Sequence, residues 1–304
     1  QRTLNRSRIP EITAYLVDNS SEYTLSSLTA SVNSIVLFKP FSDTGPGQNM
    51  GTLSIPMDAQ ILINDGQHRR AAIEEAIKQN SELGHDNISV LFFIDEGLQR
   101  SQQMFADLNK HAVRPSASIS TLYDQRDHIA DLARYTQQQV HAFSRLTELE
   151  KSSISNRSTK LFTLSSIKGA NRALLRKANK DIVSKQEKDI CVEFWTKVCD
   201  NMPDWQQALK KGVSTAELRE QYVHSHGVFL QALGNIGGDL LSIDSQWIKT
   251  LQNLKGIDWS RANKEWDGRA IINGRISKAR SSVTLTGNLI KKAFNLELNA
   301  SEKL

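Results

Sequence analysis

The sequence predicts an α/β N-terminal domain followed by an α-helical C-terminal domain. Across residues 30–115, short apolar runs rich in β-forming residues alternate with helical patterns, the order that an α/β core requires. From about Ser116 the strand-like runs disappear, and apolar residues recur at helical spacing to the end of the chain. We therefore expect domains at 1–120 and 121–304, with the Ser-rich stretch near Lys151 as the alternative boundary.

The N-terminal half contains three predicted strands and three predicted helices. The strands are at 34–38, 59–63 and 88–94, and the helices are at about 10–17, 67–80 and about 98–109. The third strand is apolar at nearly every position, which predicts burial on both faces. Between the first two strands, residues 41–51 carry Pro46 and three glycines, a composition typical of a loop.

The C-terminal half is predicted to consist of helices. Core helices are expected at 189–199, 218–233 and 247–254. Gly234, Gly237 and Gly238 follow the second of these, and we expect them to end it. A helix-turn-helix over 271–294 is a further interpretation, because that segment combines basic residues with an apolar helical pattern.

Composition limits the class of protein. The 304 residues are 39% apolar and 23% charged, as in a globular protein, and the apolar runs are shorter than the roughly 18–20 residues that cross a membrane. The net charge of +5 is compatible with a nucleic-acid partner. Cys191 and Cys199 lack any Cys-x-x-Cys partner, so we expect buried thiols and a cytoplasmic location. The chain begins at Gln1 rather than at a methionine, and we interpret it as a fragment.

Several enzyme classes leave signatures that this sequence lacks. It contains no Gly-x-Ser-x-Gly elbow, no His-Glu-x-x-His helix and no Gly-x-x-x-x-Gly-Lys-Ser/Thr loop. A serine hydrolase, a zinc protease and a P-loop ATPase are therefore not predicted. His224 and His226 are two residues apart, which places them on different faces of a helix and argues against a metal pair. No metal site is predicted from protein ligands alone.

The segment from Asp65 to Arg70, which we call the 65–70 turn, joins a predicted strand to a predicted helix. It reads Asp65, Gly66, Gln67, His68, Arg69 and Arg70. A helix N-terminus offers free N–H groups and a positive dipole end, which favour an anion. The two arginines would add donors suited to phosphate, and Asp65 could hold a metal or orient a water. The alternative is an ordinary turn in which Asp65 caps the helix and the arginines are solvated.

Two groups of basic residues in the helical half predict contacts with nucleic-acid phosphates. The first is Arg157, Lys160, Lys168, Arg172, Arg176, Lys177 and Lys180, and the second is Arg261, Lys264, Arg269, Arg275, Lys278, Arg280, Lys291 and Lys292. The residues expected to bind DNA are Arg157, Lys160, Lys168, Arg172, Arg176, Lys177, Arg275, Lys278 and Arg280. A solvated helix face is the alternative for either group.

The string of residues 65–69 resembles the DGQHR-domain family and, within it, the bacterial DndB-like proteins encoded beside DNA phosphorothioation enzymes. Segments 104–112, 123–127 and 259–266 are similar to further blocks of that family, in the same order. The resemblance implies a DNA-binding repressor of the operon for phosphorothioate modification, in which sulfur replaces a non-bridging phosphate oxygen. Its partners would be double-stranded promoter DNA and the modification enzymes, and a palindromic operator would imply a homodimer.

The N-terminal half is also similar to the ParB/sulfiredoxin group, in which a Gly-x-x-Arg turn after a strand holds nucleotide phosphates. That similarity implies that Gly66, Gln67, His68, Arg69 and Arg70, with Asn109 from the next turn, face a nucleoside triphosphate with Mg²⁺. ATP and CTP are the leading candidates, and GTP stays open. Asp65 and His68 would be the catalytic residues of a weak nucleotide hydrolase. The Gln67-His68 pair differs from a typical ParB turn, so nucleotide choice and hydrolysis stay open. A hydrolase or nuclease acting in phosphorothioate-dependent modification or defence is the alternative function, and a scaffold for the modification enzymes is a third.

Overall fold

The chain divides into two compact units, which we call the N-terminal unit (residues 1–113) and the C-terminal unit (residues 114–304). The computed structural model describes residues 5–94, 103, 107, 115–243 and 246–298. The predicted fold class is confirmed, because the first unit contains a small mixed sheet with helices and the second is largely helical. Among the described helices, none is both long enough and apolar enough to cross a membrane.

The N-terminal unit is built on a three-stranded sheet. Its strands and helices are α1 (Ile9–Asp18), β1 (Leu28–Asn33), β2 (Leu37–Pro40), β3 (Gly51–Ser54), β4 (Gln60–Asp65), α2 (Gln67–Gln79) and β5 (Val90–Ile94). The strand order is β4-β1-β5, with β1 antiparallel to β4 and parallel to β5, while β2 and β3 pair separately. Leu16 of α1 and Ala76 of α2 lie in one buried cluster, which packs the two helices together.

The central strand of this sheet, β1, was not predicted from the sequence. Its first five residues are buried. From Leu28 to Val32 they alternate apolar and polar, which is a strand pattern, but the run is short and contains Ala30, a weak β-former. The expected burial of both faces of β5 is wrong, because Leu91 and Ile94 are 49% and 58% exposed. Among the described strands, β1 is the neighbour of β5 in the sheet, and the exposed apolar side chains of β5 are not enclosed.

The C-terminal unit packs helices around a large aromatic core. Its helices are α3 (Ala117–Tyr123), α4 (His128–Gln139), α5 (His141–Leu146), α6 (Leu164–Leu174), α7 (Lys185–Asp200), α8 (Pro203–Leu209), α9 (Thr215–Gln221), α10 (Gly227–Ile243), α11 (Trp247–Thr250) and α12 (Arg280–Ala293). Two short strand pairs accompany them, β6 (Thr147–Glu148) with β7 (Phe162–Thr163) and β8 (Ile271–Ile272) with β9 (Arg275–Ile276). Trp195, Trp205 and Trp266 are fully buried. Cys191 and Cys199 are free and buried, as predicted.

The prediction that glycines end a helix at residue 233 is wrong. α9 ends at Gln221, and α10 starts at Gly227 and continues through Gly234, Gly237 and Gly238. A Cβ atom built on Gly234 would lie 2.4 Å from the Ala170 carbonyl oxygen of α6. These glycines are therefore positions where α10 and its neighbours approach closely, because any side chain there would occupy space that the neighbouring elements fill.

The helix-turn-helix interpretation of 271–294 is also wrong. The first part of that segment is the β8–β9 hairpin, and only the second part, α12, is helical. Asn273 and Gly274 connect the two strands with φ of +49° and +73°. Positive φ at both positions is the pattern of a two-residue hairpin turn, for which Asn-Gly is the strongest sequence signal.

Candidate functional site

The 65–70 turn places a glycine where β4 ends and α2 begins. Gly66 has φ of +96°, which L side chains rarely adopt. A Cβ atom built there would lie 2.4 Å from Leu28 Cδ2 and 2.9 Å from Arg69 Nη2. Among the residues that the structure describes, no side chain caps the N-terminus of α2, so Asp65 does not take the capping role that an ordinary turn would give it. The first N–H groups of α2 thus have no acceptor from the side chains that flank the helix start.

Arg69 is held in place by two acceptors next to the turn. Its Nη2 donates to Asp65 Oδ2 at 2.6 Å and to the Ser27 carbonyl oxygen at 3.2 Å. Its Nε is shielded from solvent and has no hydrogen-bond acceptor among the described residues. Arg70, by contrast, forms a surface ion pair with Glu74 one helical turn along α2. Exposed pairs of this kind contribute little to stability, so Arg70 could exchange Glu74 for another anion at small cost.

The other predicted residues of the turn have separate partners. Gln67 Nε2 donates to the Ile63 carbonyl oxygen at 3.0 Å. His68 Nε2 accepts the backbone N–H of Asn5 at 3.0 Å, which leaves Nδ1 as the ring nitrogen that carries the proton in the neutral form. Asp65 and His68, both predicted to be catalytic, share no hydrogen bond. Asn109 lies outside the described residues.

A magnesium ion at this turn would depend on the nucleotide for most of its ligands. Asp65 is the only carboxylate within the turn, and Arg69 already occupies one of its oxygens. In the described part of the chain, no group of three or more His, Cys, Asp or Glu residues is arranged to hold a metal ion. Mg²⁺ commonly binds through phosphate oxygens and waters with one or two carboxylates. The residues present therefore fit that mode and do not form a protein-only cage.

The first basic group is largely engaged in contacts within the C-terminal unit. Lys168 pairs with Asp127, Arg176 with Asp239, and Lys177 with Glu187. Arg172 donates to the Asn179 side chain, and Lys160 Nζ donates to the Arg145 carbonyl oxygen at 2.7 Å. Arg157 is exposed and forms no ion pair with the residues that the structure describes. Most of this group therefore supports the fold, and its charge is partly neutralised.

Asp127 shows how firmly one of these lysines is bound. Burial would raise the pKa of the Asp127 carboxyl, but the hydrogen bond and charge of Lys168 and the N–H groups of Ile129 and Ala130 outweigh it and lower the pKa. Asp127 Oδ1 accepts those two N–H groups at 2.8 and 2.9 Å and so caps α4. Lys168 is therefore a structural partner of the cap, and releasing it to bind DNA would weaken the start of α4.

The second basic group contains a set of free cations. Arg275 of β9, Lys278 of the connecting segment and Arg280 at the start of α12 are exposed, and none forms an ion pair with any described residue. We call residues 271–280 the basic hairpin segment. Arg261 anchors its turn, because Nη2 of Arg261 donates to the Gly274 carbonyl oxygen at 2.8 Å. The basic hairpin segment therefore carries three unpaired cations, and its turn is fixed to the body of the unit.

The two units differ in charge. Residues 1–113 contain 9 of the 38 Lys and Arg residues and 13 of the 33 Asp and Glu residues. Residues 114–304 contain the other 29 basic and 20 acidic residues. The formal charges are therefore −4 and +9. Net charge alone would therefore favour a polyanion at the C-terminal unit over the N-terminal unit.

The C-terminal unit also brings together residues that sequence reasoning did not identify as a site. Arg219 and His226 line one cavity together with Arg261 and Lys278. Arg261 and Lys278 belong to the second predicted basic group, but no spacing in the sequence relates them to Arg219 or to His226. Only the packing of the helices shows that the four residues are neighbours.

Comparison with known proteins gives one match. A family model for DndB, described as DNA-sulfur modification-associated, matches residues 1–297. No curated protein and no solved structure matches the chain. The family similarity therefore extends over both units and is not limited to residues 65–69.

Proposed function

The chain belongs to the DndB family of DNA-sulfur modification-associated proteins, and on that basis we propose that it is a DNA-binding transcriptional repressor of a DNA phosphorothioate-modification operon. The C-terminal unit binds the double-stranded promoter. The observation that carries this proposal is the set of unpaired cations Arg275, Lys278 and Arg280 on the basic hairpin segment of a unit with a formal charge of +9.

Unpaired cations are the important feature, because a lysine or arginine that already has a carboxylate partner must lose it before it can bind a phosphate. Lys168, Arg176 and Lys177 would each carry that cost. The three cations of the basic hairpin segment would not. Each phosphate that they neutralise releases condensed counterions. The logarithm of the binding constant therefore falls with the logarithm of the salt concentration, with a slope of about −0.9 per phosphate contacted.

The test is a fluorescence-anisotropy titration of promoter DNA and of a random duplex at several salt concentrations. We expect preference for the promoter, and we expect Arg275→Gln, Lys278→Gln and Arg280→Gln together to flatten the salt slope by about 2.7. Lys292→Gln is the control, because Lys292 is exposed on α12 outside the basic hairpin segment. Equal affinity for random DNA would reject the repressor, and an unchanged slope would place the DNA surface elsewhere. Two copies on a palindromic promoter would fit a homodimer.

The 65–70 turn forms the second part of the proposal, as a site for the phosphates of a nucleoside triphosphate that modulates DNA binding. Three observations support it. Gly66 brings the backbone of the turn to the start of α2, no side chain caps that helix, and Arg69 Nε has no hydrogen-bond acceptor among the described residues. A small movement of the Arg69 side chain on binding would bring Nε to a phosphate oxygen, which would also interact favourably with the positive end of the helix dipole.

Binding of ATP and of CTP, each with Mg²⁺, tests this part by calorimetry. Arg69→Gln should abolish binding, while Arg70→Gln should weaken it only several-fold, because Arg70 already has a carboxylate partner. The nucleotide-hydrolase function would instead be favoured if the wild type releases inorganic phosphate from the nucleotide and both Asp65→Ala and His68→Ala lose this activity. If Arg69→Gln keeps full nucleotide affinity, the turn is not the site.

A further inference from the structure

The C-terminal unit contains a cavity of about 460 Å³ that is separate from the 65–70 turn. Its walls are formed by the segment before α6, the start of α6, the end of α9, the start of α10 and the basic hairpin segment. The volume is within the range of about 300–1,000 Å³ that is usual for small-molecule sites. We call it the C-terminal cavity.

Three cationic side chains line the C-terminal cavity, and two of them are fixed by backbone carbonyl groups. Nη2 of Arg219 donates to the carbonyl oxygens of Ser155, Asn156 and Ser158 at 3.0–3.1 Å, and Nη1 donates to that of Lys160. Arg261 donates to the carbonyl oxygens of Glu220 and Gly274 at 3.1 and 2.8 Å. Lys278, the third cation, has no ion pair among the described residues.

Carbonyl acceptors hold a guanidinium group in position without cancelling its net charge. A carboxylate partner would hold the group in position and would also cancel its charge. Arg219, Arg261 and Lys278 therefore give the C-terminal cavity three positive charges, against which its lining contains the single acid Glu220. Because Arg219 and Arg261 are already fixed, these two side chains would lose little entropy on binding an anion.

The first residue of α10 lies at the wall of the same cavity. A Cβ atom built on Gly227 would lie 2.7 Å from Ser166 Oγ and 3.6 Å from Lys278 Cε. A hydroxyl group and a lysine side chain therefore converge on the N-terminus of a 17-residue helix. The positive end of that helix dipole adds to the three side-chain charges.

We propose that the C-terminal cavity binds the phosphate group of a small phosphate monoester, up to a mononucleotide in size. Arg219, Arg261 and Lys278 supply the charge, and the hydroxyl of Ser166 supplies a hydrogen bond. Lys278 also belongs to the basic hairpin segment, so an occupied cavity withdraws one cation from DNA. That last consequence rests on the proposed function, while the phosphate site does not.

Calorimetric titration with inorganic phosphate and with adenosine monophosphate tests the site in the absence of DNA. We expect Lys278→Gln and Gly227→Ala each to weaken phosphate binding at least tenfold. The first removes a charge, and the second adds a methyl group that narrows the C-terminal cavity. Lys292→Gln should leave the affinity within twofold. Arg69→Gln distinguishes the two sites, because it should remove phosphate binding at the 65–70 turn and leave binding in the C-terminal cavity. Circular dichroism checks that each variant is folded.

Three results would overturn the proposal. The first is unchanged affinity for both ligands in Lys278→Gln and Gly227→Ala, and the second is loss of binding in Arg69→Gln with the other variants unaffected. If a promoter duplex binds and neither free phosphate compound does, the cavity is not a site for a small ligand. That result would leave the DNA-binding proposal intact, so the two proposals fail separately.

Discussion

The carboxylate of Asp65 accepts a hydrogen bond from the guanidinium group of Arg69 at 2.6 Å, across the start of α2. The two side chains that the sequence assigned to different roles, water activation and phosphate binding, therefore neutralise each other. A phosphate group at the turn has to share Arg69 with Asp65. This pairing gives the two residues opposite expected effects on nucleotide affinity.

We expect Asp65→Asn to tighten nucleotide binding and Arg69→Gln to abolish it. Removing the carboxylate leaves Arg69 with its full charge and removes repulsion of the phosphates. At short range and moderate dielectric this repulsion corresponds to about a tenfold change in affinity. Calorimetry with ATP and Mg²⁺ measures both variants. Weaker binding by Asp65→Asn would show that Asp65 contributes to the site through a metal ion or a water.

Gly66→Ala should destabilise the N-terminal unit by roughly 2–4 kcal/mol, from positive φ and from overlap with Leu28. Gly84→Ala is the matched control, because its Cβ would meet nothing nearer than 3.8 Å. All 5 tryptophans lie beyond residue 113, so their fluorescence reports on the C-terminal unit, while circular dichroism reports on both. The expected loss should appear in dichroism with the fluorescence transition unchanged. A matching shift in Gly84→Ala would contradict the steric explanation.

Gly234→Ala should lower the free energy of unfolding of the C-terminal unit by roughly 2–4 kcal/mol, because its Cβ would overlap the Ala170 carbonyl oxygen at 2.4 Å and force α6 and α10 apart. Gly287→Ala in α12 is the contrasting variant, since its nearest neighbour would be 3.9 Å away. Alanine there should raise stability by up to about 1 kcal/mol through helix propensity. Urea denaturation followed by tryptophan fluorescence measures both, and equal effects would reject the role assigned to close helix approach.

His226 should make the stability of the C-terminal unit depend on pH. Burial lowers the pKa of His226 to about 4, and the charges of Arg261, Lys278 and His224 act in the same direction against a hydrogen bond to the Arg219 carbonyl oxygen. The unfolded chain binds this proton near pH 6.5, so the unfolded state is favoured as pH falls from 6.5 towards 4. The loss is roughly 1.4 kcal/mol per pH unit in that window, with no effect above about pH 7.

The variant His226→Gln isolates this contribution, because glutamine keeps a donor for the Arg219 carbonyl oxygen and does not titrate. Its unfolding free energy should fall less steeply between pH 6.5 and 4 than that of the wild type. His224, whose pKa is also lowered by burial, keeps its own contribution in both proteins. His128→Gln, at an exposed position of α4, should leave the slope unchanged. Identical slopes for His226→Gln and wild type would show that the pKa of His226 is the same in the folded and the unfolded state.

Local patterns allowed the 65–70 turn to be predicted, because a strand, a glycine and a helical repeat follow each other within a few residues. The partners of the basic residues could not be predicted. Lys168 and Asp127 are 41 positions apart, and only the packing of α6 on α4 joins them. The same is true of the C-terminal cavity. Arg219 and Lys278 come from distant segments, so no spacing marks them as neighbours.

The wrong prediction that Gly234, Gly237 and Gly238 end a helix has a related reason. Glycine ends helices where the chain has to turn, and it continues them where a second helix takes the place of side chains. Gly234 and Gly237 belong to the second case, because Ala170 and Leu174 of α6 occupy the space next to them. A single sequence does not show which neighbour is present.

A helix with three glycines in five positions has little tendency to form alone, since each glycine costs roughly 1 kcal/mol relative to alanine. α10 therefore depends on docking against α6 for its existence as a helix. The C-terminal cavity takes Ser166 from α6 and Gly227 from α10, so a ligand there binds only the docked pair. By thermodynamic linkage such a ligand would add to the stability of the folded C-terminal unit, by about 2.7 kcal/mol at 100 times its Kd.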